Sequence, residues 1–157
     1  MSGTMVRAKA MKEGKSGELL VAAELLSRGI DMFLPLVDCG IDLVALIENR
    51  FVQIQVKKSR FYREVDCYWQ QIIKETFHKN KGTDIYYIFV LKRETEVNYL
   101  IVPSVWIDEN AKRFGTTRKK WFFYFKIEDG RVTETRKSKL DMTRFLNNWE
   151  LLKTQPS

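Results

Sequence analysis

Histidine and cysteine are nearly missing from this chain: one His and two Cys occur in 157 residues. A histidine cluster for zinc is therefore excluded. Cys39 and Cys67 are too few for a disulfide framework or a four-cysteine zinc site and suit a reducing cytosol. Cys39 reads as a small buried residue rather than a nucleophile. No run approaches the ~18 apolar residues of a membrane span. Residues 1–5 lack a long apolar segment, so no secretory signal is expected. These absences predict a cytoplasmic chain with no membrane partner. No repeat, low-complexity segment or domain boundary is visible, so residues 1–157 are expected to form a single domain. The hydrophobic fraction of 45% is enough to build a core. The chain is basic, with 27 Lys plus Arg against 20 Asp plus Glu and a net charge of +7. That surplus favours a polyanionic partner.

The most informative stretch is 37–59, VDCGIDLVALIENRFVQIQVKKS. It predicts a hairpin of two runs, 41–47 and 51–57, joined at Glu48-Asn49-Arg50. On the return run Val52, Ile54 and Val56 point one way while Gln53, Gln55 and Lys57 point the other. Asp42 interrupts an otherwise apolar first run, and a carboxylate buried without a partner costs several kcal/mol. A two-residue loop at Asn49-Arg50 sets Asp42 opposite Lys57, and a four-residue loop sets it opposite Gln55. Either register gathers Asp42, Gln55 and Lys57 on one face, whereas a three-residue loop would reverse that face unless a bulge restored it.

Upstream, a helix is predicted over 16–27, stopped by Gly29, with Leu19, Ala22, Ala23 and Leu26 as its core stripe. Glu18 opens an apolar face formed with Val21, Ala22, Leu25 and Leu26, and so points toward the sheet. Residues 1–13, with Arg7, Lys9 and Lys12, form a helix start or a mobile basic arm. Gly14-Lys15-Ser16 mimics the end of a phosphate-binding loop, but the motif's first glycine would fall on Lys9, and that reading is rejected. Pro35 holds the 30–36 connection extended. Arg60-Phe61-Tyr62-Arg63 reads as a loop whose alternating cations and aromatics suit phosphate contact and stacking. A helix is predicted over 64–79, with a stripe of Trp69, Ile72, Ile73 and Phe77 and with His78 on its surface near the end. Residues 85–91 predict a central strand covered on both faces, and 98–102 a further strand. Ser104 is placed as the cap of a helix over 105–113. The segment 112–120 is a basic loop fit to follow a phosphate backbone. Strands over 121–128 and 131–135 turn at Asp129-Gly130, and Asp141 caps a final helix carrying Phe145, Leu146, Trp149 and Leu152. Strand, helix and strand in this order predict a crossover and a mixed sheet.

Gly40-Ile41-Asp42-Leu43-Val44, followed by Gln55-Val56-Lys57-Lys58-Ser59, resembles the signature of the PD-(D/E)XK nuclease superfamily. It is similar in particular to the branch of small archaeal Holliday-junction resolvases and intron-encoded homing endonucleases. Gly17-Glu18 at a helix start matches that family's first acidic position. Gln55 stands where most members carry an acid, a Q-x-K variant. The resemblance implies a restriction-endonuclease-like α/β fold, a central mixed β-sheet flanked by helices. It implies a metal-dependent DNA endonuclease, resolvase-like or homing-type, that uses Mg²⁺ or Mn²⁺. Glu18, Asp42, Gln55 and Lys57 would be catalytic, and Asp42, Gln55, Val56 (through its carbonyl) and Glu18 would hold the metal. Lys15, Lys58, Arg60, Arg63, Arg118, Lys119 and Lys120 are the expected DNA contacts. Cutting two strands from one small site predicts a homodimer or higher homo-oligomer. The competing reading is a nucleic-acid-binding module on the same fold, its catalysis weakened by the glutamine.

Overall fold

The computed structural model describes residues 2–154. The chain opens on α1 (Ser2–Ser27), β1 (Asp31–Phe33), β2 (Leu43–Ile47) and β3 (Arg50–Tyr62). It continues through β4 (Cys67–Ile73), α2 (Lys74–Lys79), β5 (Ile85–Arg93), β6 (Glu96–Pro103) and α3 (Ser104–Glu109). It closes on β7 (Gly115–Thr116), β8 (Lys120–Glu128), β9 (Arg131–Glu134) and β10 (Leu140–Asp141), with short 3₁₀ turns between. The sheet runs β1-β2-β3-β4-β8-β9-β10, with β5 on β3, β6 on β5 and β7 on β8. β3 and β5 are parallel and every other pairing is antiparallel. This is the expected mixed α/β fold with flanking helices.

β3 is the branching element. Its residues from Gln53 to Ser59 pair with β5, and its last three, Arg60, Phe61 and Tyr62, pair with β4. One face of its first part carries Val52, Ile54 and Val56, packed with Leu43, Ala45, Ile88, Val21 and Leu25. On the opposite face Phe51 and Gln53 are exposed, while Gln55 and Lys57 pair with Tyr87 and Phe89 of an aromatic core that also includes Phe77, Phe123 and Phe125. The β2–β3 hairpin closes through Glu48-Asn49, with φ of 50° and 64°. Two residues with positive φ form the turn whose twist matches that of paired strands. Ile47 therefore faces Arg50 and Leu43 faces Ile54, which in turn sets Asp42 beside Gln55.

Several expectations are corrected. Helix α1 begins at Ser2, so residues 2–13 are its first half. Its buried face is Gly17, Val21 and Leu25, while Leu19 and Leu26 are exposed. Gly17 fixes that rotation: a Cβ there would stand 2.9 Å from Lys58 Cβ and 3.6 Å from Val56 Cγ1. Residues 60–63 are not a loop, since β3 runs on to Tyr62. The helix expected over 64–79 is replaced by a 3₁₀ turn, β4 and the short α2. Asp66, at φ 49°, turns the chain back so that Trp69 faces Arg60. Tyr68, Trp69 and Ile72 then sit in a strand, where aromatic and β-branched residues pack well. Ser104 does not cap α3; its hydroxyl donates to the Gly82 carbonyl and accepts from the Gly82 amide, both at 2.9 Å. The final helix is instead two 3₁₀ turns broken by Asn147 at φ 50°, whose side chain accepts from the Tyr99 amide at 2.8 Å. Phe145, Trp149 and Leu152 are buried all the same.

Candidate active site

Asp42 stands one residue before β2, where β3 continues past its partner's end. There the Val56 amide has no strand opposite to accept its hydrogen bond, and a buried N–H left unpaired is costly. Asp42 supplies the acceptor: its Oδ2 takes hydrogen bonds from Val56 N at 2.7 Å and from Gln55 Nε2 at 2.6 Å. Its own amide donates to Ile54 O at 2.9 Å. The preceding turn is held by Gly40 at φ 80°, where a Cβ would meet Asn80 Nδ2 at 2.5 Å, behind α2.

Gln55 is buried, and its Oε1 has no hydrogen-bond partner. An amide that gives its nitrogen to Asp42 and keeps a bare oxygen is an acceptor awaiting a cation or a donor. Glu18, on α1, has a side chain only 17% exposed and forms an ion pair with Lys15. Burial raises the Asp42 carboxyl to about 6, the Val56 amide opposes this, and the Glu18 charge raises it further, while Lys57 and Lys15 lower it. Four of the expected residues thus share one electrostatic neighbourhood. Lys57 lies on β3 beyond Gln55. Burial pulls its ammonium below the usual lysine range, against the attraction of Asp42. Burial and the Asp42 charge hold the Tyr87 phenol un-ionised and well above its ordinary range.

Among the described residues there is no cluster of three or more His, Cys, Asp or Glu side chains suited to a metal. The donors present are two carboxylates, the free Gln55 amide oxygen and the main-chain carbonyl of Val56. All are oxygens, the set a hard divalent cation prefers, so the residues fit such an ion.

The expected DNA contacts divide into two groups. Lys58 and Arg60, together with the catalytic candidate Lys57, line a groove of about 960 Å³ between the first half of α1 and β3. Lys15, exposed and tied to Glu18, sits one residue beyond the groove's Gly14. Arg63, at the end of β3, is mostly exposed and paired with Glu94 at 3.1 Å. Arg118 and Lys119 are exposed on the turn into β8, and Lys120 donates to Gln71 Oε1 at 3.2 Å. That turn packs on α2 through the Lys74 amide, 2.9 Å from Lys119 O, and does not line the groove. Phe61 is committed to packing between Tyr68 and the Arg93 guanidinium, and Tyr62 lies under Arg60. Cys39, expected to be buried, is exposed in an apolar groove of about 520 Å³ with Phe33, Leu34 and Ile41.

Sequence reasoning missed Glu13, Ser59, Gln70 and Lys92, all of which line the cationic groove. The parallel register places Leu91 opposite Ser59 and so brings Lys92 to the site; no local pattern announces a pairing across thirty residues of chain.

A mixed α/β fold with a large, mostly antiparallel sheet flanked by helices is one found among nucleases. The structure of a bacterial homing endonuclease is similar to it over 90% of this chain and 88% of that one, with a TM-score of 0.64 and 17% sequence identity. Hjc, a Holliday junction resolvase of Archaeoglobus fulgidus, aligns over 74% of this chain and 84% of its own, with a TM-score of 0.47 and 15% identity. The first likeness is one of fold. No protein-family model and no curated protein sequence matches the chain.

Proposed function

We propose that this protein is a metal-dependent DNA endonuclease of the PD-(D/E)XK kind, with glutamine in place of the second acid. The reading rests on one observation: Asp42, held by the Val56 amide and Gln55, lies in the electrostatic field of Glu18 and Lys57. Asp42, Glu18, Gln55 Oε1 and the Val56 carbonyl would hold Mg²⁺ or Mn²⁺. When bound, such an ion supplies positive charge beside the scissile phosphate and makes a water more acidic. Lys57, with its pKa lowered by burial, orients that water and faces the charge that grows on the phosphoryl oxygens. Lys58 and Arg60 hold the substrate backbone; Lys15, Arg63, Arg118, Lys119 and Lys120 extend the positive surface. DNA is the substrate by analogy with what the similar structures are named for, and the cut would be resolvase-like or homing-type. Two copies related by a two-fold axis would serve the two strands.

The test is Mg²⁺- and Mn²⁺-dependent cleavage across linear, branched and single-stranded substrates. Asp42→Ala, Lys57→Ala and Glu18→Ala should each abolish cleavage, Glu18→Ala as fully as Asp42→Ala. The last equality matters because Gln55 contributes no charge, leaving a single carboxylate once Glu18 is removed. DNA binding without cleavage of any substrate would instead mark a binding module on this fold, the charge-poor site having lost its chemistry.

A further inference from the structure

The groove beside the site contains an anion of the protein's own. Lys9 of α1, Lys58 and Arg60 of β3 and Lys92 of β5 line it, together with Glu13, its single acidic residue. The Lys58 ammonium makes an ion pair with the Glu13 carboxylate and a 2.9 Å hydrogen bond to Ser16 Oγ. The hydrogen bond from Lys58, with the charges of Lys58, Lys9 and Lys92, holds the Glu13 carboxyl below its ordinary range, while the Lys92 ammonium donates to the Glu94 carbonyl at 2.6 Å. Lys58 and Arg60 stand on the strand that carries Lys57 toward the catalytic end. The overhanging wall is built of Val6, Ala10 and Gly14, small and uncharged at the points where bulk would close the channel.

We propose that this groove binds the phosphodiester strand running to the scissile phosphate, and that Glu13 occupies the place of one of its phosphates in the free protein. The proposal rests on the nuclease reading for the direction of the strand but concerns binding alone. A phosphate entering the groove meets Lys9, Lys58 and Lys92, and displaces the Glu13 carboxylate from Lys58. Glu13 is thereby an internal competitor: it satisfies Lys58 in the absence of DNA and weakens the first encounter. Removing an anion from a phosphate site should strengthen binding, the opposite of what loss of an ordinary surface contact does.

The test uses the full chain, a short fluorescent duplex and EDTA, so that binding is read by anisotropy without cleavage. Glu13→Gln should tighten binding several-fold. Lys92→Ala and Lys9→Ala should each weaken it several-fold, and each should lower the slope of log K against log salt by about 0.9 for a lost phosphate contact. Lys153→Ala, an exposed lysine paired with Glu150 outside the groove, should leave both quantities unchanged. Binding by Glu13→Gln that is equal to or weaker than that of the parent, with Lys92→Ala matching Lys153→Ala, would overturn the proposal. The two readings fail separately. Cleavage that survives intact in Lys9→Ala and Lys92→Ala rejects the groove alone. Absence of cleavage with every substrate, alongside the expected binding changes, rejects the nuclease alone.

Discussion

Gln55 is where a single side chain decides most. Its amide nitrogen steadies Asp42 at 2.6 Å while its oxygen remains bare in a buried site. Gln55→Glu would exchange that donor for a second carboxylate against Asp42, and two like charges at this separation cannot both ionise freely. The variant should melt at a lower temperature than the parent in EDTA. Mg²⁺ or Mn²⁺ should raise its melting temperature by more than it raises the parent's, since a tighter ligand stabilises the folded state more. Equal metal-induced shifts in the two proteins would show that position 55 is not a ligand. Glu134 is a buried acid of another kind. Its Oε1 accepts from the Tyr124 and Arg136 amides at 3.1 and 2.7 Å, and its Oε2 has no partner. Burial outweighs those amides and raises its carboxyl above the ordinary 4.5. The folded chain therefore holds this proton more tightly than the unfolded one. The associated stability is complete below about 4.5 and is lost as pH rises through the folded value. Glu134→Gln keeps the two accepted hydrogen bonds and removes the titration. Its stability relative to the parent should grow as pH rises above 4.5, as denaturant midpoints at several pH values would record.

At the scale of elements, the packing of α1 on β3 sets where Glu18 stands. Gly17→Ala brings a Cβ to 2.9 Å from Lys58 Cβ, an atom too close to its own backbone to swing away. The helix gains up to about 1 kcal/mol from losing a glycine, but overpacking costs roughly 1–3 kcal/mol. Net destabilisation in urea is expected, with cleavage reduced by more than stability alone explains because Glu18 moves with the helix. The same elements show what could be read from the chain. The hairpin was legible because its alternation along β3 is a local signal; its turn falls at Glu48-Asn49, one residue before the two-residue loop expected at Asn49-Arg50. It carries Asp42, Gln55 and Lys57 within sixteen residues, so most of the candidate site was legible with it. β4 was not. Trp69, Ile72, Ile73 and Phe77 also satisfy helical spacing, and only pairing with β3 and β8 makes Cys67–Ile73 a strand, leaving Phe77 on α2. Leu19 and Leu26 were misplaced for a related reason. A helix with apolar residues on more than one face leaves its rotation to the partner surface, here to the absent side chain of Gly17.

Across the whole molecule, the +7 charge is not spread evenly in its consequences. Many surface cations are engaged by neighbouring acids, among them Arg28 with Glu24, Lys79 with Glu75 and Arg93 with Asp66. Such exposed pairs add little to stability. The groove between α1 and β3 instead sets several cations against one acid, so the field that draws a polyanion is focused beside the catalytic end. No single local motif foretold this, because its walls come from α1, β3 and β5. β3 has thirteen residues, pairs with β2, β5 and β4, and bears the residues at the centre of the proposed chemistry. Asp42, Gln55 and Lys57 are therefore held for as long as the sheet persists, with Glu18 brought to them by α1. On slow warming, the temperature at which cleavage fails should coincide with that at which ellipticity collapses, and a gap of many degrees between them would refute this. The strand-borne half of such a site wears out only when the sheet itself comes apart.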